Sequence, residues 1–173
     1  GAEALPEQLK LKELSQHLRA RLWAFVREKL YASSMRHNYS ERTLGDPFYT
    51  ILYDMHVRRY GRMADEYVYK YDAVERSIKF IFEKGDYLAV FGWLQWVMRH
   101  HQAPYSFGNT VGAILREHGA AYRVLDESTI VPISSENEFQ ALQLSLETAA
   151  AEGFHGAKSH LQKAADALSA GHF

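Results

Sequence analysis

Nine histidines and no cysteines set the first limit on chemistry in this chain. Without thiols there are no disulfides, no thiolate zinc sites and no cysteine nucleophile, a usage that fits a reducing compartment. A helical metal pair needs two ligands three or four residues apart, so that both point into one site. No two histidines have that spacing: His100 and His101 are adjacent, and His155 and His160 stand five apart. Glu152-Gly153-Phe154-His155 has the Glu-x-x-His form of carboxylate-bridged bundles, which use two copies and further glutamates, and only one copy is present. Gly108-Asn109-Thr110-Val111-Gly112 is too short and wrongly patterned for a nucleotide loop. The expectation is therefore no metal and no cofactor.

Two polar groups remain. Arg58, Arg59 and Arg62 sit beside Tyr60, with Tyr53, Tyr67 and Tyr69 near in sequence. Arginine for phosphate and tyrosine for base stacking is the combination that single-stranded RNA needs. Tyrosines seven residues apart with arginines opposite also describe an ordinary amphipathic helix. The second group is Asp72 and Glu75, one turn apart on one helical face, with Arg76 beside them. A half-buried carboxylate needs a partner, because desolvating an unpaired charge is costly. Arg76 or Arg123 can supply it. Arg123 follows Tyr122, and its pairing with Asp72 or Glu75 would dock one end of the chain on the other.

These residues are carried by a chain of 173 residues, 47% of them hydrophobic and 24% charged. That suits one helical domain over 1–173, with enough apolar material for a core. No apolar run nears the roughly 18 residues that cross a bilayer. The longest, Tyr87–Met98, is broken by Gly92 and Gln95. The N-terminus lacks the basic-then-apolar layout of a secretion signal, so a cytoplasmic protein with no membrane contact is expected. Net charge is −1, with an excess of basic residues in the first half and of acidic residues in the second. A surface built throughout for nucleic acid would be far more basic.

The pattern reads as a mainly α protein, a bundle of about seven helices with one short β-hairpin over about residues 121–133. Leu11, Leu14, Leu18, Leu22, Phe25 and Val26 form one stripe on a first helix from Pro6 to Tyr31. The polar run 32–45 reads as a loop. Asp46-Pro47 starts a second helix, ending at Gly61. A third helix, 64–84, places Val68, Tyr71, Val74, Ile78, Ile81 and Phe82 on one face. A fourth, 87–101, carries aromatics nearly all round, and a fifth, 106–119, carries Gly108 and Gly112, which allow close helix approach. The period then changes. Two β-branched runs, 121–125 and 129–133, flank Asp126-Glu127-Ser128 and read as a hairpin that must pack on helices. Pro132 puts the second strand at an edge. Ser135-Glu136-Asn137-Glu138 is a capping box opening a sixth helix, and a seventh runs over 154–170.

One stretch is more specific. Asn109 with Ile114-Leu115, then Gly119–Val124 with its Tyr122-Arg123, then Ile130-Val131-Pro132-Ile133-Ser134 and Glu138, resembles the N-terminal helical domains of AbiJ-type abortive-infection proteins. Ala121 stands where that family has glycine before Tyr122. Tyr71-Asp72-Ala73-Val74-Glu75 is similar to the family's upstream helix, and His160-Leu161-Gln162-Lys163-Ala164 to a downstream one. The resemblance covers about residues 65–170. It implies a helical interaction or sensing module in a bacterial anti-phage setting associated with HEPN domains, with no chemistry of its own. Its partner would be another protein or a second copy. It also implies a further helical segment after Phe173. The HEPN ribonuclease signature, an arginine followed by four to six residues and a histidine, occurs nowhere in this chain. The alternative is thus a HEPN-like RNA-binding or ribonuclease domain whose catalytic pair is lost or lies outside it.

Overall fold

The structure is a computed structural model, and it describes residues 11–152 together with Lys163 and Asp166. It is mainly helical, with two small antiparallel strand pairs. Helix α1 (Gln16–Ala32) begins where the Ser15 hydroxyl accepts the Leu18 N–H. It buries Leu18, Leu22, Phe25, Val26 and Leu30. The helix starts later than its apolar stripe predicts, because Lys12 takes a left-handed conformation (φ 68°) that no helix interior accommodates. Leu11 is left 43% exposed.

The run read as a loop contains a hairpin, β1 (Ser34–Arg36) with β2 (Arg42–Leu44). Its three-residue strands are too short for an alternating pattern to stand out, which is why the sequence reads as polar loop. Helix α2 (Phe48–Asp54) follows, with the Asp46 carboxylate accepting the Thr50 N–H and hydroxyl. It widens without a break into a π-helical turn, Met55–Arg59.

The predicted 64–84 helix is shorter than its pattern. A 3₁₀ turn (Ala64–Glu66) leads into extended residues 67–70, whose backbone joins β2: the Leu44 N–H donates to the Tyr69 carbonyl at 2.8 Å. Helix α3 (Tyr71–Lys84) then buries Tyr71, Val74, Ile78 and Phe82. Val68, expected on that face, is 55% exposed. Arg19 of α1 closes the end of α3, donating to the carbonyls of Phe82 (3.0 Å) and Gly85 (2.6 Å).

Helix α4 (Tyr87–Arg99), capped by Asp86, is the centre of the molecule: Val90, Phe91, Trp93, Leu94, Val97 and Met98 are buried. Helix α5 (Phe107–Glu117) leads to the hairpin β3 (Tyr122–Leu125) and β4 (Thr129–Pro132), paired from Tyr122↔Pro132 to Leu125↔Thr129. A Cβ on Gly108 would lie 2.1 Å from the Glu127 carbonyl oxygen. The close approach thus runs from α5 to the hairpin turn and not to another helix. Helix α6 (Glu136–Ala151) opens with the Ser135 hydroxyl accepting the Glu138 N–H. The Glu138 carboxylate turns to the Ser134 hydroxyl. The predicted seventh helix, 154–170, lies outside the described residues apart from Lys163 and Asp166.

The hairpin separates two apolar clusters, because successive residues on a strand face opposite sides. Tyr122, Val124 and Ile130 join the main core of α1–α5, whereas Leu125 and Val131, with Ile133, pack on Phe139 and Leu146 of α6. No helix among the described residues is long and apolar enough to cross a membrane.

Candidate binding groove

The predicted buried polar group is not one site. Asp72 is exposed. Glu75 accepts from Arg27 of α1 at 2.8 Å on a half-open surface. Tyr122 faces the bundle: it lies against Tyr87 and Phe91, and its hydroxyl accepts the Lys12 N–H at 3.0 Å. Arg123, the next residue on the strand, therefore faces the other way. It donates to Glu136 of α6 (3.0 Å) and to the carbonyls of Ala120 (2.7 Å) and Tyr122 (2.8 Å). The expected Arg123 pairing with Asp72 or Glu75 is corrected: strand alternation turns its guanidinium away from α3.

Side chains of α4 bond the hairpin to the bundle. Gln95 Oε1 accepts the Ile130 N–H at 2.8 Å, and Arg99 donates to the Ser128 carbonyl (3.2 Å) and the Thr129 hydroxyl (3.0 Å) while also meeting Asp166. Neither residue was legible as a contact in the sequence, where α4 reads as an apolar helix with two interruptions.

The basic and aromatic group of residues 58–62 is placed on the surface by the π-helical turn. Arg59 and Arg62 flank the Tyr60 ring, their guanidinium carbons 5.8 and 5.2 Å from its centroid, within cation–π range. Arg58 is exposed. The three arginines do not share one surface feature. Arg59 donates to the Gly92 carbonyl at 2.9 Å and occupies the space a side chain at 92 would fill. It borders a cleft of about 250 Å³ with Trp96, Arg99 and His100. In that cleft His100 Nδ1 accepts the Gln102 N–H, so Nε2 carries the proton and donates to Asp54 at 2.7 Å. Both ring nitrogens are thereby occupied.

Tyr60 and Arg62 instead border a second, more apolar groove of about 300 Å³ between α2, α3 and the segment joining them. Leu52, Met55, Val74, Ile78, Ile81 and Trp93 form its floor, and Glu66, Tyr67 and Val68 its far edge. Polar bonds hold that edge in place. His56 donates from Nε2 to the Met63 carbonyl at 2.7 Å, and the Tyr67 hydroxyl donates to the Tyr49 carbonyl at 2.8 Å. Tyr67 also meets Tyr49, Tyr53 and Tyr69 edge-on or tilted, so its phenol is pushed above the ordinary range, first by burial and then by Tyr49 and Asp46. Arg62 and Glu66 stand on this rim with opposite charges, and among the described residues neither forms a salt bridge.

Reading 64–84 as one helix hid this feature. Val68 keeps the three-residue step to Tyr71, so no local signal marked the extended stretch that forms the groove's edge. Among the described residues, no three or more histidine, aspartate or glutamate side chains converge as a metal site requires. The groove is apolar with a few polar groups on its edge, the form that ligand and partner sites commonly take. No family model, curated protein or solved structure matches this chain.

Proposed function

We propose that the chain is a non-catalytic helical interaction or sensing module of a bacterial anti-phage protein, binding its partner through the groove between α2 and α3. The groove itself supports the binding role: its floor is apolar, its rim carries Arg62 and Glu66 outside any salt bridge among the described residues, and its edge is fixed by the His56 and Tyr67 side chains bonding to backbone carbonyls. The setting rests on the resemblance of residues 65–170 to abortive-infection domains. The test is phage plating on bacteria that express the full gene, wild type or Val68→Glu. Val68 is more than half exposed, so this variant should fold normally. Protection lost with an unchanged melting temperature supports the reading, and full protection by the variant overturns it.

A second reading is RNA binding, or RNA cleavage with the catalytic pair supplied from elsewhere. The flanking of Tyr60 by Arg59 and Arg62 favours it, since a stacked base beside two guanidinium groups is how single strands are held. Incubation of the purified protein with labelled RNA separates the two. Cleavage that disappears in Arg58→Ala, Arg59→Ala or Arg62→Ala would replace the interaction reading with this one.

A further inference from the structure

We propose that the groove is closed in solution by a second copy of this chain, related by a two-fold axis that sets Arg62 of each copy against Glu66 of the other. The inference rests on the groove being a binding surface and adds what occupies it.

Three observations support it. The rim carries both charge signs within one short segment, Arg62 and Glu66, and neither is neutralised by a neighbour among the described residues. A complementary surface must offer the same pair in reverse order, with apolar groups between. A two-fold copy does so automatically, because in an isologous contact residue i meets j and j meets i. Next, the residues between and beside these charges are unusually apolar for a surface. Met63 is 66% exposed and Val68 55%. Val68 lines the groove itself and Met63 stands on the segment between Arg62 and Glu66, so apolar surface adjoins the two charges, as an interface requires. Finally, Asp65 and Glu66 lie on the same exposed segment as Arg62. They would repel a phosphate backbone at this rim, so a nucleic-acid occupant fits less well than a surface that brings its own arginine.

The full chain is examined by sedimentation across a concentration series, with circular dichroism and thermal melts to check folding. The wild type should dimerise. Arg62→Glu places glutamates against glutamates at both contacts, and Glu66→Arg places arginines against arginines. Each variant alone should therefore dimerise at least about tenfold more weakly. An equimolar mixture of the two variants should recover dimers, because each contact again joins opposite charges, and the double variant R62E/E66R should recover them on its own. General damage to the fold cannot produce that rescue.

Three results overturn the inference: a wild type monomeric throughout the series, single variants that dimerise like the wild type, or a mixture that stays monomeric. If the wild type is monomeric and Val68→Glu still abolishes protection from phage, the second copy is rejected while the groove remains a site for another protein. If Arg62→Glu lowers RNA affinity and mixing with Glu66→Arg restores nothing, the occupant is RNA and the inference fails.

Discussion

Arg123 and Arg27 each hold a glutamate, in different surroundings. Arg123 is 8% exposed and makes three bonds, to Glu136 and to two backbone carbonyls, so its removal strands buried acceptors. Arg27 and Glu75 meet on the surface, where water and salt screen the pair. Arg123→Ala should therefore lower unfolding stability in urea by about 2 kcal/mol, and Arg27→Ala should change it far less. Charge reversal gives a sharper test. Arg123→Glu should be rescued in part by Glu136→Arg and not at all by Glu75→Arg. Rescue through Glu75 would mean that the hairpin docks on α3 after all.

At the scale of elements, the joint between α5 and the hairpin depends on one glycine. Gly108 has no room for a Cβ, since the nearest obstacle is backbone of the β3–β4 turn and not a side chain that could swing aside. That turn is itself constrained: Asp126 and Glu127 both have positive φ, 50° and 59°. Gly108→Ala should destabilise the protein by about 1–3 kcal/mol through overpacking. Gly112, one turn on, has Val124 no nearer than 3.4 Å. There the helix gains from losing a flexible residue, so Gly112→Ala should be neutral or stabilising by up to about 1 kcal/mol. Paired thermal melts decide the matter, and equal losses at both glycines would refute the close contact.

Across the whole molecule, buried tyrosines couple stability to alkaline pH. Burial first, and the Glu75 carboxylate second, push the Tyr71 phenol up to about 12. Burial likewise raises Tyr67 and Tyr122. An unfolded tyrosine ionises near pH 10, so below that value both states keep the proton and stability is unaffected by these groups. Above it the unfolded chain loses protons that the folded chain retains. Folding then becomes less favourable as pH rises from about 10 towards 12, by up to about 1.4 kcal/mol per pH unit for each such group. Urea unfolding between pH 8 and 11 should show this decline, and Tyr71→Phe should make it shallower. A curve of unchanged slope in the variant would exclude Tyr71 as a contributor.

Much of the helical frame was legible because it rests on short-range rules. The stripe of α1 from Leu18 to Val26, that of α3 from Tyr71 to Phe82, the Ser135 cap and the shift from helical to alternating period near residue 121 are local signals, and the structure carries each of them. The errors have a common cause. Val68 continues a helical spacing yet lies in an extended segment, because the backbone of 69–70 pairs with β2, a partner some 25 residues earlier in the chain. The β1–β2 hairpin is too short to announce itself by alternation. For Arg123 the expected carboxylate was the wrong one: its glutamate is set by which side of the hairpin faces the bundle, and only packing fixes that side. The groove is the extreme case. Its floor comes from α2, α3 and α4 and its rim from an irregular segment, so it exists only once distant parts of the chain meet. Composition and periodicity thus specified the helices and where one hairpin interrupts them, because those depend on neighbours a few residues away. The partners of the charged residues, the docking of the hairpin on Gln95 and Arg99, and the groove bordered by Arg62 and Glu66 depended on long-range contacts that no local pattern encodes.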